Sequence, residues 1–198
     1  MGLKKTVVGL DASLTASAIC FYCPMTASRA EQVTSIVFGS TPQKGLARIN
    51  KRYQKLVNRI VSSIVGAKPT AIFVEGYSYN SVNSAVPIAE FGGILRRDLL
   101  STKIPLYEVA PKTLKKWVLG KGIGSKLQVC TALANRYNVL FETDDEYDAY
   151  ALARLGAAVL EWEAPANQSQ AEAASLIAGK KIKTTAQKAR DKAWKHFT

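Results

Sequence analysis

With 198 residues, 47% apolar and 9% aromatic, the chain holds one core-bearing domain with at most a small appendage. It has no apolar run near the ~18 residues of a membrane span, which excludes a membrane protein, and its regular apolar runs exclude disorder through the bulk of the chain. The 27 Lys and Arg against 15 Asp and Glu give +12 and a pI near 9.7, the balance of a protein with a polyanionic partner; the plain alternative is a basic surface that only keeps the chain soluble.

In chain order, Val7-Val8-Gly9-Leu10 is an apolar run that stops at Asp11, Ala18 to Tyr22 is a second and Val33 to Phe38 a third. These predict three short strands in a meander. From Gly45 to Gly66 the period changes, with Leu46, Ile49, Tyr53, Leu56, Ile60 and Ile64 three or four apart and Lys51, Arg52, Lys55 and Arg59 elsewhere, which predicts an amphipathic helix with a basic outer face. Pro69 punctuates, and Ala71 to Val74 reads as a buried strand ending, like the first, in a carboxylate, Glu75.

A Ser/Asn-rich loop leads to a predicted helix over 87–101 with Gly92-Gly93 in it, then a strand over 104–109. Pro111 opens a short helix through Trp117, Gly120 to Ser125 is a glycine-bearing loop, and a further helix leads to Tyr137. Asp144 to Leu160 predicts an alanine-rich helix. Three strands, then alternating helices and strands, imply an α/β fold: a mixed sheet of five strands flanked by helices. From about Ala164 the composition turns to Ala, Gln, Ser, Asn and Lys, so that residues 1–163 read as the domain and 164–198 as a basic extension. Its last 23 residues, including Lys180, Lys181 and Lys183, carry seven Lys/Arg and one acid, half of the surplus charge. That tail is either a solvated segment or a phosphate-binding one.

His196 is the only histidine, which leaves Ser-His-Asp and Cys-His catalysis and His-built zinc sites almost nothing to work with. Cys20, Cys23 and Cys130 are an odd number with no second C-x-x-C, and the start of the chain leads into a strand instead of a signal-peptide run, so a reducing cytoplasm is expected. Chemistry falls to carboxylates. If the strands ending at Asp11 and Glu75 are parallel neighbours, both acids emerge at one end of the sheet. Asp145 and Asp148 lie three apart and Asp144 and Asp148 four apart, so either pair shares a helix face, while capping and the helix dipole account for part of the acidic run Asp144-Asp145-Glu146. Four acids inside a positive field are what metal-dependent nucleic-acid hydrolysis requires, since Mg²⁺ prefers hard oxygen ligands.

Gly9-Leu10-Asp11-Ala12-Ser13-Leu14-Thr15, Phe73-Val74-Glu75-Gly76-Tyr77, Lys115-Lys116-Trp117-Val118-Leu119-Gly120-Lys121-Gly122 with Lys126, and Asp145-Glu146-Tyr147-Asp148-Ala149-Tyr150-Ala151 together resemble the RuvC-type Holliday-junction resolvases, particularly their bacteriophage branch, over about residues 5–160. The resemblance implies a ribonuclease H-like fold, a homodimer, and cleavage of four-way and other branched DNA with Mg²⁺, for which Mn²⁺ substitutes. It places the metal-binding acids on Asp11, Glu75, Asp145 and Asp148, the glycine-loop lysine on Lys126 and the preceding basic residue on Lys115. Lys116 and Lys121 join them as DNA-binding candidates, and Tyr77 or Tyr79 is the aromatic that stacks near the junction centre. Two other readings stay open: a nuclease of the same fold acting on RNA-DNA hybrids, and a junction-binding protein without catalysis. For the dimer, Gly92-Gly93 with Phe91, Ile94 and Leu95 is the expected interface, because glycines let helices approach closely.

Overall fold

Five strands, β1 (Val7–Asp11), β2 (Ala16–Cys23), β3 (Gln32–Gly39), β4 (Ala71–Glu75) and β5 (Leu106–Val109), form one mixed sheet in the order β3-β2-β1-β4-β5. The computed structural model describes residues 5–25, 31–77 and 85–179; Tyr79, Lys180, Lys181, Lys183 and His196 lie outside them. β1 pairs antiparallel with β2, and β2 with β3, as a meander; β1 and β4, and β4 and β5, are parallel. The expected ribonuclease H-like sheet is thus the one observed. Six helices accompany it among the described residues: α1 (Leu46–Ala67), α2 (Ala85–Ser101), α3 (Pro111–Leu119), α4 (Lys126–Tyr137), α5 (Asp144–Val159) and α6 (Gln168–Ile177). None is long and apolar enough to cross a membrane.

The central strands are apolar without a break because both faces of the sheet are covered. Alternation sorts their side chains: Val8, Leu10, Ile19, Ile72 and Val74 pack under α1 and α2, while Val7, Ala18, Cys20, Ala71 and Phe73 pack under α5 and its neighbours. β5 starts at Leu106, two residues later than the apolar pattern predicts. Lys103 takes a left-handed turn after α2, with φ 61°, and the first partner of β4 on that side is the Pro105 carbonyl, which accepts from Ile72 N at 2.8 Å.

The segment after residue 163 continues on the same body as α6. Ala173 and Ala174 join the α5-side core, and Gln170, buried, donates to the Trp117 carbonyl at 3.3 Å. Lys116 pairs with Glu172 at 2.6 Å, and Ser169 Oγ donates to the Gly120 carbonyl at 3.2 Å. α6 therefore braces the end of α3 and the start of the glycine loop.

The glycine pair on α2 expected at a helix-helix contact divides in two. Phe91 and Leu95 are buried in the core, and a Cβ on Gly92 would lie 2.6 Å from the Tyr77 hydroxyl and 2.9 Å from Arg96 Nη1, so that space is filled from within the chain. Gly93 alone of the pair opens outward, with nothing within 4 Å.

Candidate active site

The alternation that sorts the core also aims the acids. Asp11 has the parity of Val7 and Gly9, and Glu75 that of Ala71 and Phe73, so both belong to the α5 side of the sheet. The parallel ladder runs as far as Leu10 opposite Val74, and the two acids stand one residue beyond it on adjacent strands. α5 brings the other pair. Its backbone lies close on β1 because Gly9 has no side chain: a Cβ there would lie 1.9 Å from Ala149 O and 2.6 Å from Ala153 N. Gly156 gives the same clearance to Phe73, whose ring would be 2.4 Å from an added Cβ.

The first turn of α5 divides its acids by task. Thr143 and Glu146 form a capping box, in which Thr143 Oγ1 accepts from Glu146 N at 3.3 Å and the Glu146 carboxylate accepts from Thr143 N at 3.0 Å. Glu146 also accepts from Ser35 Oγ at 2.6 Å, which ties the helix to β3. Asp144 turns outward to an ion pair with Lys126 Nζ. Asp145 and Asp148 remain on the side of Asp11 and Glu75, and their charges bear on Asp11.

The consequence is a set of carboxyls that burial, with charge repulsion behind it, makes costly to ionise. Asp11 is only 9% exposed, and burial, then the charges of Glu75, Asp148 and Asp145, hold its carboxyl well above the usual range. Burial and the neighbouring Asp148 push Glu75 up to about 7. Burial pushes Asp148 up to about 6 against the pull of Lys126 and Lys115. Asp11, Glu75 and Asp148 make no side-chain hydrogen bond or salt bridge to any described residue.

Lys126 is the first residue of α4, where a cation opposes the helix dipole. Asp144 compensates, and Asp145 Oδ1 stands 3.7 Å from the same ammonium. The capping box of Ser125 and Gln128 fixes that helix start, so the glycine loop ends in a defined geometry. Lys115, half-buried on α3, acts on Glu75 and Asp148 through its charge. Lys116 is set apart from the acids by its pairing with Glu172 on α6, and Lys121 is exposed on the glycine loop.

Tyr77 lies across α2 at Gly92, with the Arg96 guanidinium 4.1 Å from its ring centroid. Arg96 donates to the Glu75 carbonyl at 2.9 Å and to the Glu108 carboxylate at 2.8 Å. It thus clamps the end of β4 that carries Glu75, a role that sequence spacing does not reveal, since its partners come from two segments other than its own helix. A small cleft of about 120 Å³ opens here between Asp11, Glu75, Tyr77, Ile88 and Arg96.

Among the described residues no three Asp, Glu, Cys or His side chains are gathered closely enough to enclose a metal as they stand. The donor chemistry nevertheless fits a hard divalent cation. The ligands are all oxygen, Asp11, Glu75 and Asp148 have no side-chain hydrogen-bond partner among the described residues, and their burial and mutual repulsion call for positive charge.

The family model described as Crossover junction endodeoxyribonuclease RuvC matches residues 7–155, a span containing all four acids and Lys126. A crossover junction endodeoxyribonuclease RuvC of Chlamydia muridarum is 26% identical over 156 residues, covering 76% of this chain and 90% of that protein. Among solved structures, Thermus thermophilus RuvC in complex with Holliday junction substrate superposes with a TM-score of 0.62 at 19% identity, covering 75% of this chain and 90% of that one. The yeast mitochondrial Holliday junction resolvase gives 0.51 at 16% identity over 76% of each chain. At these identities the structural likenesses speak to the fold, and the family match, over most of the chain, settles membership: this chain belongs to the RuvC family of crossover junction endodeoxyribonucleases.

Proposed function

We propose that the protein is a Holliday-junction resolvase that nicks branched DNA in symmetric pairs by metal-dependent phosphodiester hydrolysis. The observation that carries this reading is the convergence of Asp11 and Glu75 from adjacent parallel strands with Asp145 and Asp148 from α5, inside a chain of net charge +12. Those four acids would hold one or two Mg²⁺ ions, with Mn²⁺ able to substitute. The ion, when bound, supplies activation of water and charge neutralisation at the phosphate.

The chain's own groups do the rest. Lys126 supplies positive charge to the phosphoryl oxygens or orients the attacking water, and Asp144 holds it at the rim until substrate arrives. Lys115 and Lys121 supply further positive charge for the DNA backbone beside the acids, and Arg96 keeps Glu75 and Tyr77 in register. The basic tail, with Lys180, Lys181 and Lys183, adds phosphate contacts of any shape of DNA, while α6 in the 164–198 extension buttresses the 1–163 body.

Two symmetric cuts call for two sites about a two-fold axis, which a homodimer supplies. On α2 the outward stripe Val86, Gly93 and Leu100, seven residues apart, is its interface; Val86 is 69% and Leu100 63% exposed. Placement on the bacteriophage branch rests on the motifs around Asp11, Glu75, Lys126 and Asp145 to Asp148 that carry the resemblance. The free thiols Cys20, Cys23 and Cys130 support action in a reducing cytoplasm.

The test is nicking of an immobile four-way junction, plain duplex and RNA-DNA hybrid by the same preparation with Mg²⁺. Paired cuts confined to branched DNA are expected. Preferential cutting of the hybrid, or binding without cutting, replaces this reading with the corresponding alternative.

A further inference from the structure

A second charged feature lies beyond the turn that follows Asp11, on the α1 side of the sheet. A groove of about 670 Å³ runs between the end of β3 and α1, walled by Thr15, Gly39 to Thr41, and the cations Arg48, Lys51, Arg52, Lys55 and Arg59. The helix turns its opposite face, Tyr53, Leu56, Val57, Ile60 and Ile64, into the core. Between Glu31 and Glu75 the chain contains no Asp or Glu at all. Among the described residues none of the five cations makes a salt bridge, since the bridges there join other groups.

Folding alone gives no reason for this pattern. Arg48 with Arg52, Lys51 with Lys55, and Lys55 with Arg59 are like charges four residues apart, each pair mildly destabilising to an isolated helix. A polyanion laid along the stripe reverses the sign of that interaction. Two of the cations are already held in place for it. Arg52 donates to the Leu14 carbonyl at 2.6 Å and to Ser40 Oγ at 3.0 Å, and the Arg59 guanidinium sits 4.8 Å from the centroid of the Phe38 ring. Ordering these two costs little on binding, because the fold has already ordered them.

Position and reach identify the polyanion. Leu14 is three residues from Asp11, at most about 11 Å along the chain, and the helix from Arg52 to Arg59 adds about 10 Å. The stripe therefore falls within at most about the first six base pairs of a duplex leaving the acidic site, at 3.4 Å each. We infer that this groove seats one duplex arm of the branched substrate, gripping its backbone between the scissile phosphate and Arg59 on α1. The inference rests on the junction-nuclease reading and adds to it the track of the arm.

The experiment compares the full chain with Lys51→Gln/Lys55→Gln, and with Lys68→Gln/Lys103→Gln as a control of equal charge outside the groove. Binding is measured with metal chelated, across a salt series, on junctions with long arms and on junctions whose arms are cut to a few base pairs and closed by hairpin loops. On long arms the groove variant should bind roughly tenfold or more weakly near 0.1 M salt, with the log-log salt slope smaller by about 1.8, or 0.9 for each lost contact. On the clipped arms the gap should close, and the control should match the wild type on both. Wild-type binding by the groove variant, an equal loss on clipped arms, or an equal loss in the control overturns the inference. If the double variant melts lower than the wild type, Lys55→Gln alone is read instead, with an expected slope change of about 0.9. A wild-type chain that cuts junctions while the groove variant binds normally refutes the groove alone; a wild-type chain that neither binds nor cuts branched DNA refutes the junction-nuclease reading as well.

Discussion

Replacing Gly9 with Ala is expected to damage the protein in two separable ways. The added Cβ would lie 1.9 Å from Ala149 O and 2.6 Å from Ala153 N, where even tight contacts stay at 3.0 Å or beyond, and both obstacles are backbone atoms with no rotamer to yield. α5 must therefore retreat from β1 by roughly 1 Å or more. Overpacking of this kind costs about 1–3 kcal/mol, and the upper end applies where backbone must move. At about 2–4 °C per kcal/mol for a chain of this size, the melting temperature should fall by roughly 6–12 °C. The same retreat carries Asp145 and Asp148 away from Asp11 and Glu75, and a misplacement of about 1 Å in a catalytic constellation costs on the order of 100-fold in rate.

The assay is a thermal melt, followed by single-turnover cleavage of a four-way junction at a temperature where the variant is fully folded. Gly66→Ala is the control. Its site on α1 has nothing within 4 Å, and it should stabilise slightly, by up to about 1 kcal/mol from helix propensity. Wild-type melting in Gly9→Ala would refute the close approach of α5. A lowered melting temperature with an unchanged rate in the folded variant would refute the claim that this approach sets the acid geometry.

Glu75→Gln should abolish cleavage and stabilise the metal-free protein in a pH-dependent manner. The folded-state carboxyl is raised from 4.5 to about 7, so its contribution is fully favourable below 4.5 and is lost as the pH rises through 7. The variant should gain about 3 kcal/mol over the wild type at pH 8 but under about 1 kcal/mol at pH 5, and added Mg²⁺ should raise the melting temperature of the wild type more than that of the variant. A gain independent of pH would contradict the raised carboxyl of Glu75. Asp144→Asn should leave Mg²⁺-dependent cleavage within about tenfold of wild type, whereas Asp145→Asn should lose roughly 100-fold or more, because Asp144 is held in its ion pair with Lys126 while Asp145 is the one of the two whose charge bears on Asp11; comparable losses in the two would undo that division. Deleting residues 180–198 should weaken binding to all DNA shapes alike without lowering the melting temperature, while deletion from 164 should also destabilise, since it removes Ala173 and Ala174 from the core. Loss of junction selectivity in the shorter deletion would place shape recognition in the tail.

Much of this site could be read along the chain, because period-two and period-3.6 patterns are local. The runs ending at Asp11 and Glu75 announce strands whose last residues are acids, and Thr143-x-x-Glu146 before an apolar face announces a capped helix start with Asp145 and Asp148 three apart. The right-handed crossover then makes β1 and β4 parallel neighbours, which the ladder of Leu10 with Val74 bears out. Spacing alone did not choose between Asp144 and Asp145 as partner of Asp148. What separates the two is Lys126, 18 residues away on α4, which takes Asp144 into an ion pair. Likewise Lys116 resembled Lys115 until Glu172, 56 residues on, claimed it, and Gly92 looked free for a second helix until Tyr77 and Arg96 filled its space. Backbone hydrogen bonding and alternation act between residues a few positions apart and are written in order along the chain. Which side chain meets which across packed elements depends on how closely those elements approach, and that distance is set by the core as a whole: α5 can stand where it does only because Gly9, far away in sequence, has no side chain where the backbone of Ala149 and Ala153 comes against it.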